Sequence, residues 1–262
     1  MSNYKRKTLF SNKKNTKIIL IHGFLGSSLN MKPLENFLIN LGYSTILFDL
    51  PGHGIDFKNF TKAGRNSWIN KIKEEFYNIS DDSNVVIIGF SMGASLSIVL
   101  LNDILKSKIK DIKNITKLVL LSTPFSINKK FFPSFFQVLL GFIIKKKYKL
   151  KYENPGCNYL FYTKYYEQKI EYIPSIRFLD LYFLIYKSKK GLKNLFIPTL
   201  MVHSKKDKLA PYKANVKIYN RLKNKNISLV TFSRSNHFLQ LDFERENLFE
   251  LIKIFIENDN LQ

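Results

Sequence analysis

Six short runs of branched and aliphatic residues, separated by helix-like segments, limit how this chain can fold more than any other feature. The runs are Lys17–Ile21, Ser44–Phe48, Val85–Ile88, Lys117–Leu121, Thr199–Val202 and Ser228–Phe232. They are apolar almost throughout instead of alternating, which is typical of parallel strands buried on both faces. Strands that alternate with helices predict an α/β fold with a doubly wound, mostly parallel sheet and right-handed crossovers.

Helices are predicted between these strands. The helical segments are Pro33–Leu41, Ser67–Ile79, Met92–Leu105, Tyr212–Leu222 and Arg245–Ile256. Asn30 is a suitable N-cap for the first of them, since a short polar side chain accepts from the free N–H groups of a first turn. Gly42 is a suitable C-terminal stop, because glycine readily adopts the left-handed conformation there.

The segment 124–196 breaks this alternation, since it holds many aromatic residues and lysines but no clear strand. A structureless loop of that length is implausible in a compact domain. The sequence therefore predicts a core of residues 1–123 and 197–262 and a helical cap over 124–196. The run 131–144, followed by Lys145, Lys146 and Lys147, allows two interpretations. It is either an ordinary helix with its apolar face on the sheet or a segment that lies at an anionic membrane surface.

The charge of the chain suggests nucleic-acid binding, but the motifs do not. Lys and Arg number 42 against 20 Asp and Glu, a formal charge of +22, yet only six of the basic residues are arginines. The excess of Lys, Asn, Ile, Phe and Tyr is typical of an AT-rich genome. No zinc-finger spacing, RNP-like aromatic motif or GXXG loop is present, so no nucleic-acid partner is predicted. A positive field still favours anionic substrates and anionic membrane surfaces.

Cysteine usage and hydropathy favour a cytoplasmic location. A single cysteine, Cys157, permits no internal disulfide and indicates no oxidising compartment. The basic N-terminus is followed by only four apolar residues, 18–21, which is too short for the apolar region of a signal peptide. No stretch reaches the roughly 18 apolar residues of a spanning helix. No metal site and no cofactor are predicted.

The run "VIIGFSMGA", residues 86–94, joins a predicted strand to a predicted helix through a Gly-x-Ser-x-Gly pattern. The pattern alone is weak, because at about 7% for each residue type it arises by chance roughly once in ten to twenty chains of this length. In a strand-to-helix elbow, however, the positions two before and two after the serine must be small. Gly89 and Gly93 meet that need, and Ser91 is the predicted nucleophile.

"GFSMG" after an apolar strand, with "IHGFLGSS" and "DLPGHG" earlier in the chain, resembles the α/β-hydrolase superfamily. The resemblance implies the order serine, acid, histidine. Asp207 in "PTLMVHSKKDKLAP" follows a predicted strand and precedes Pro211, as in the acid loop of the family. His237 in "LVTFSRSNHFLQLDFE" lies between the last strand and the last helix. The implied catalytic residues are therefore Ser91, Asp207 and His237.

Other histidines and carboxylates compete for these roles. His22 and His53 precede the serine, and His203 lies too close along the chain to Asp207 to be oriented easily by it. Asp242, in the histidine loop, and Asp180, in the insertion, are alternative acids. The "HGF" motif resembles the oxyanion loop of the superfamily, which implies that the backbone N–H of Phe24 is one oxyanion donor and that of Met92 the other. In this resemblance His22 braces the loop and His53 has a structural role.

Within the superfamily the motifs are most similar to serine carboxylesterases and monoacylglycerol-lipase-like enzymes. The aromatic residues of the insertion, among them Phe131, Phe132, Phe135, Phe136, Phe142 and the tyrosines from Tyr148 to Tyr166, favour an apolar acyl chain. The expected substrates are medium-chain acyl esters or monoacylglycerols. Two alternatives stay open: a lyase similar to the menaquinone-pathway synthase of this fold, and a non-enzymatic ligand-binding or interaction module.

Overall fold

The computed structural model contains a six-stranded, fully parallel sheet. It describes residues 13–54, 59–79, 83–106, 115–149, 172–222, 224 and 226–258. The strands of the sheet are β1 (Thr16–Ile21), β2 (Ser44–Leu47), β3 (Asn84–Phe90), β4 (Ile115–Leu121), β7 (Thr199–Ser204) and β8 (Ile227–Phe232), whereas β5 (Lys147–Lys149) and β6 (Tyr172–Pro174) lie outside this sheet. The strands of the large sheet lie side by side in the order β2-β1-β3-β4-β7-β8. The sequence prediction of a doubly wound parallel sheet is confirmed.

Helices cover both faces of the sheet. The helices are α1 (Lys32–Asn40), α2 (Arg65–Tyr77), α3 (Met92–Lys106), α4 (Phe135–Ile143), α5 (Ser175–Gly191), α6 (Tyr212–Tyr219) and α7 (Arg245–Glu257). Residues of α1 and α7 share one apolar core with the sheet, and those of α2, α3, α5 and α6 share the other. In β3 the side chains alternate between the two cores, since Val85 and Ile87 face one and Val86 and Ile88 the other. Burial on both sides explains why the strand is apolar throughout.

Two details at the ends of α1 test the predicted helix signals. Asn30 is not the N-cap, because it lies in a preceding 3₁₀ turn and Met31 occupies the cap position. The Asn30 side chain instead accepts a hydrogen bond from the N–H of Ser27 at 2.8 Å, so it closes the turn that precedes the helix. Gly42 has φ +90° and donates its N–H to the carbonyl of Ile39, as expected of a C-terminal stop.

The segment between β4 and β7 contains helices, as predicted, and in addition a small sheet that the sequence did not indicate. Strands β5 (Lys147–Lys149) and β6 (Tyr172–Pro174) form a two-stranded antiparallel sheet. Strands of three residues leave too short a pattern to be recognised in the sequence. The predicted boundaries at 124 and 196 stay a prediction, and Cys157 and the tyrosines up to Tyr166 lie outside the described residues.

Helix α4 does not pack its apolar face on the sheet, so that interpretation of the run 131–144 is wrong. It packs against α5 and buries only Val138 and Gly141. Its other large apolar side chains are exposed, together with Ile144: Phe135, Phe136, Leu139, Leu140, Phe142 and Ile143. None of the described helices is long and apolar enough to cross a membrane.

Candidate active site

Ser91 follows the last residue of β3, where the sheet reverses its winding direction between β1 and β3. This position, outside the carboxyl ends of the strands, is where ligands bind in doubly wound sheets. The backbone of Ser91 is left-handed, with φ +53°, and its N–H donates to the carbonyl of Leu121 at 2.8 Å. The hydrogen bond to β4 helps to hold a conformation that a non-glycine residue rarely adopts.

Gly89 and Gly93 leave the room that this turn needs. A Cβ on Gly89 would lie 2.5 Å from the carbonyl oxygen of Gly93 and 2.6 Å from the Cα of Ala94. A Cβ on Gly93 would overlap the carbonyl oxygen of Ile21. Both contacts are with backbone atoms, so larger side chains cannot be accommodated by rotating a neighbour.

Ser91, His237 and Asp207 are connected by hydrogen bonds. The hydroxyl of Ser91 lies 2.9 Å from Nε2 of His237, and Nδ1 of His237 lies 2.7 Å from Oδ2 of Asp207. All three side chains are buried. Because Nδ1–H of His237 donates to the carboxylate of Asp207, Nε2 of the same ring is free to accept a proton from the serine hydroxyl.

The carboxylate of Asp207 has four hydrogen-bond donors. Its Oδ1 accepts from the N–H groups of Leu209 at 2.9 Å and Ala210 at 2.8 Å. Its Oδ2 lies 3.2 Å from Nε2 of His203 as well as against His237. Burial by itself would raise the pKa of Asp207, but the charge of His237 and the hydrogen bonds from both histidines outweigh it and hold the pKa well below its usual value.

The contact between His203 and Asp207 is not predicted by the sequence. The four-residue separation suggests that the two side chains diverge along an extended strand. The chain instead turns after β7, so that Asp207 folds back to the ring of His203. The only signal in the sequence is that His203 lies at the end of a predicted strand and Asp207 just after it.

Two carboxylates hold the loop that carries His237. Glu244 accepts hydrogen bonds from the N–H groups of Ser233, Arg234 and Ser235. Asp242 accepts from the N–H of Asn236 at 2.7 Å. Asp242, one of the alternative acids, is thus bonded to the backbone of the loop and not to the ring of His237.

Asp180, the other alternative acid, belongs to an ion cluster at the cap. Its carboxylate lies 2.6 Å from Nη1 of Arg65 and 3.3 Å from Nη1 of Arg177. Arg177 also donates to the carbonyl of Ala63. These contacts attach α5 to the first residue of α2 and to the loop that precedes it.

The loop after β1 carries the predicted oxyanion donor Phe24. His22 in this loop accepts from the N–H of Leu50 at Nε2, which leaves Nδ1 as the donor to the carbonyl of Gly23 at 2.8 Å. Burial lowers the pKa of His22 and keeps the ring neutral. The N–H groups of Phe24 and Met92 have no acceptor in the described part of the chain, so both remain available to an oxyanion.

His53 packs beside this loop, not beside Ser91. Its ring contacts the rings of His22, Phe60 and Trp68. Burial and the neighbouring His22 hold the pKa of His53 well below its usual value. Its position indicates a structural role in supporting the loop after β1.

A cavity of about 50 Å³ opens beside Ser91 and His237. It is lined by Gly23, Phe24, Leu25, Gly26, Phe90, Ser91, Pro124, Ile127, Phe132, Leu181, Leu209, Ala210, His237 and Phe238. The lining is apolar apart from Ser91 and His237, and none of its described residues is acidic. In the described part of the chain no cluster of His, Cys, Asp and Glu is suited to bind a metal ion.

Comparison with known proteins gives three concordant matches beside a family match. The family described as serine aminopeptidase, S33 (Hydrolase_4) matches residues 12–244. The chain is 21% identical to a carboxylesterase of Bacillus subtilis over 242 residues, 92% of each protein. It is 27% identical to a thermostable monoacylglycerol lipase of Bacillus sp. (strain H-257) over 84 residues, which span 32% of this chain and 34% of that protein. The structure is similar to that of Paleococcus ferrophilus monoacylglycerol lipase, with a TM-score of 0.72, 16% identity and coverage of 92% of this chain and 93% of the other.

Proposed function

Because the chain belongs to the serine aminopeptidase, S33 family of α/β-hydrolases, we propose that it is a serine hydrolase that cleaves carboxylic esters with an apolar acyl group. The main support is the hydrogen-bonded series of Ser91, His237 and Asp207 at the edge of an apolar cavity. The relatives named as a carboxylesterase and a monoacylglycerol lipase favour the same class of substrate.

In the proposed mechanism Ser91 attacks the ester carbonyl while Nε2 of His237 takes the hydroxyl proton. The new bond joins Oγ to the carbonyl carbon, and the N–H groups of Phe24 and Met92 bind the oxyanion. When the carbon–oxygen bond breaks, His237 gives its proton to the leaving alcohol. Water then attacks the acyl-enzyme, with His237 again as the base, and the free acid leaves. Asp207 fixes the tautomer of His237 and stabilises the imidazolium in both steps.

The lining of the cavity favours esters over peptides with a free N-terminus. An aminopeptidase must bind the ammonium group of its substrate, and buried ammonium groups need an acidic partner. The described lining residues include no carboxylate. An apolar acyl group is therefore a better occupant of this cavity than a charged amino acid.

The size of the cavity bears on the length of the acyl group. A volume of about 50 Å³ accommodates roughly three to five water-sized groups. The medium acyl chain that the sequence predicts would extend beyond this space toward Ile127, Phe132 and Leu181 on the cap side. We propose that such a chain displaces this wall outward.

A panel of p-nitrophenyl esters from acetate to laurate, together with monoacylglycerols, tests the proposal. We expect turnover that is highest for the medium-chain esters and that Ser91→Ala abolishes. A maximum at acetate would show that the wall does not yield and would contradict the medium-chain assignment. Turnover of no ester would instead favour the lyase alternative, whereas retained turnover in Ser91→Ala would refute the acyl-enzyme.

We also propose that α4 contacts anionic membrane surfaces. Phe136 and Ile143 of α4 are 67% and 70% exposed, and Ile144, directly after the helix, is 71% exposed. Such exposure is unusual for large apolar side chains that lie close together. Lys145, Lys146 and Lys147 follow directly. Apolar side chains beside lysines complement an anionic bilayer, which combines an apolar interior with a negative surface.

Sedimentation with phosphatidylcholine vesicles, with and without about 30% phosphatidylglycerol, tests this contact. We expect binding to the anionic vesicles that weakens as salt shortens the range of the charges. The double variant Phe136→Ser and Ile143→Ser should bind less. Phe243→Ser removes an aromatic side chain that is 77% exposed outside the cap and should bind as the unmodified protein does. Equal losses in the two variants, or no binding to either vesicle, would contradict the proposal.

A further inference from the structure

His203 contacts the same carboxylate oxygen as His237. His203 lies at the carboxyl end of β7, where its side chain is buried and only 1% exposed. Its Nε2 lies 3.2 Å from Oδ2 of Asp207 and 2.8 Å from the carbonyl oxygen of Ala210. The same Oδ2 lies 2.7 Å from Nδ1 of His237. Asp207 therefore joins two imidazole rings, of which only that of His237 reaches Ser91.

The neighbours of His203 determine which ring nitrogen carries its proton. A carbonyl and a carboxylate can only accept hydrogen bonds, so Nε2 must be the donor. The buried Nδ1 has no hydrogen-bond partner among the described residues, and a neutral ring leaves it unprotonated. His203 thus presents one N–H that is shared between Asp207 and the backbone of the acid loop.

We propose that His203 is a positioning residue that controls the orientation and the basicity of Asp207 toward His237. This inference rests on the proposed function, since it assigns a role within the same series of residues. The shared N–H ties Oδ2 to the end of β7, while the N–H groups of Leu209 and Ala210 hold Oδ1. These contacts on both oxygens would oppose a rotation of the carboxylate away from the ring of His237.

The same hydrogen bond draws negative charge away from the side of Asp207 that faces His237. With this donor removed, the carboxylate directs more negative charge toward His237 and stabilises its imidazolium form more strongly. The titratable side chains that face His203 among the described residues are Asp207, from its own loop, and Tyr212, from α6, at 6.2 Å between ring centres. His237 touches the same carboxylate from the loop after β8.

A pair of substitutions separates this role from simple packing. His203→Leu fills much of the volume but has no donor, whereas His203→Gln offers an amide N–H to the same acceptors. For His203→Leu we expect kcat to fall about 10- to 100-fold with little change in KM. The acid limb of its pH–rate profile should move to higher pH. His203→Gln should restore most of kcat and return the acid limb toward that of the unmodified enzyme.

A readout that does not require turnover completes the test. The downfield proton resonance of Nδ1–H in His237 reports the titration of that ring directly. It should titrate at higher pH in His203→Leu than in His203→Gln or the unmodified protein. Coincident titrations in all three proteins would overturn the proposal, as would equal kcat losses in the two variants with unmoved acid limbs. If the unmodified protein turns over no ester, the proposed function is refuted but the role of His203 is not. The resonance of His237 still tests whether the contact of His203 with Asp207 affects that ring.

Discussion

Gly93 determines how closely α3 approaches the loop that carries Phe24. A Cβ at this position would overlap the carbonyl oxygen of Ile21 and lie 2.7 Å from that of His22. Gly93→Ala is therefore expected to lower the free energy of unfolding by about 1–3 kcal/mol. It should also lower kcat, because the displaced backbone carries a proposed oxyanion donor. Urea unfolding and ester turnover measure the two effects.

Gly42→Ala is the matched control for this substitution. Gly42 has φ +90° and nothing within 4 Å of an added Cβ, so alanine there meets backbone strain of roughly 1–2 kcal/mol without a steric overlap. Its kcat should be unchanged. If Gly93→Ala keeps the same kcat as Gly42→Ala, the close approach at Gly93 does not position the oxyanion loop.

At the residue scale the sequence was informative where chemistry requires a fixed order. The sequence predicts Ser91, Asp207 and His237 because each follows a predicted strand in the order that the family resemblance implies. The structure brings the three side chains within hydrogen-bond distance of one another in series. The contact of His203 with Asp207 could not be derived, because it depends on how tightly the chain turns after β7.

The element that orients His237 is the loop between β8 and α7, and its anchor is Glu244. Burial would raise the pKa of Glu244, but hydrogen bonds from the backbone of Ser233, Arg234 and Ser235 and from the side chain of Ser235 outweigh it and lower the pKa. A group with a lowered pKa in the folded state stabilises the fold above its unfolded pKa, about 4.3 for Glu. That contribution is lost as the pH falls through the folded pKa.

Glu244→Gln is therefore expected to be less stable than the unmodified protein at neutral pH, by about 1 kcal/mol. The difference should narrow as the pH falls below about 4, where the native carboxylate is itself protonated. Urea unfolding at several pH values measures it. Glu250→Gln removes a surface carboxylate that pairs with Lys253 and serves as the control. A destabilisation by Glu244→Gln that does not depend on pH would show that the charge of Glu244 is not what holds the loop.

Elements buried on both faces were easier to predict than those of the cap. All six sheet strands were located in the sequence because continuous apolar runs follow directly from burial between two helical layers. The sequence of α4 is a similar apolar run, but burial does not explain it, since most of the apolar side chains of α4 are exposed. Composition alone does not distinguish a helix buried in a core from one that presents its apolar side chains outward. Only the packing against α5 decides between them.

At the scale of the whole molecule, the cap helix α5 connects the ion cluster to the cavity. Phe178 packs against Phe24, with 5.9 Å between ring centres, and Leu181 lines the cavity. Asp180 lies between them in the sequence and binds Arg65 and Arg177. Because one helix carries all three side chains, we expect the ion cluster to fix the position of the cavity wall.

Asp180→Asn is expected to loosen this attachment. The side chain of Asp180 is only 4% exposed and that of Arg177 9%, and breaking a buried ion pair by removing one partner costs about 3 kcal/mol or more. The two arginines would then lie close together without a counter-charge. We expect a lower free energy of unfolding and a KM that rises more than kcat falls, since the wall of the cavity moves while Ser91 and His237 stay in place.

Arg65→Gln provides the comparison, because it removes the partner that is 35% exposed and leaves the pair of Asp180 and Arg177 intact. Solvent already screens that contact, so we expect a loss of about 1 kcal/mol or less and a smaller rise in KM. The double variant Asp180→Asn, Arg65→Gln should be more stable than the sum of the two single losses predicts. Without Asp180, Arg65 and Arg177 repel each other, and the removal of Arg65 relieves that repulsion. If Asp180→Asn unfolds and binds substrate like the unmodified protein, apolar contacts alone hold α5 over the cavity, and the ion cluster has no part in shaping it.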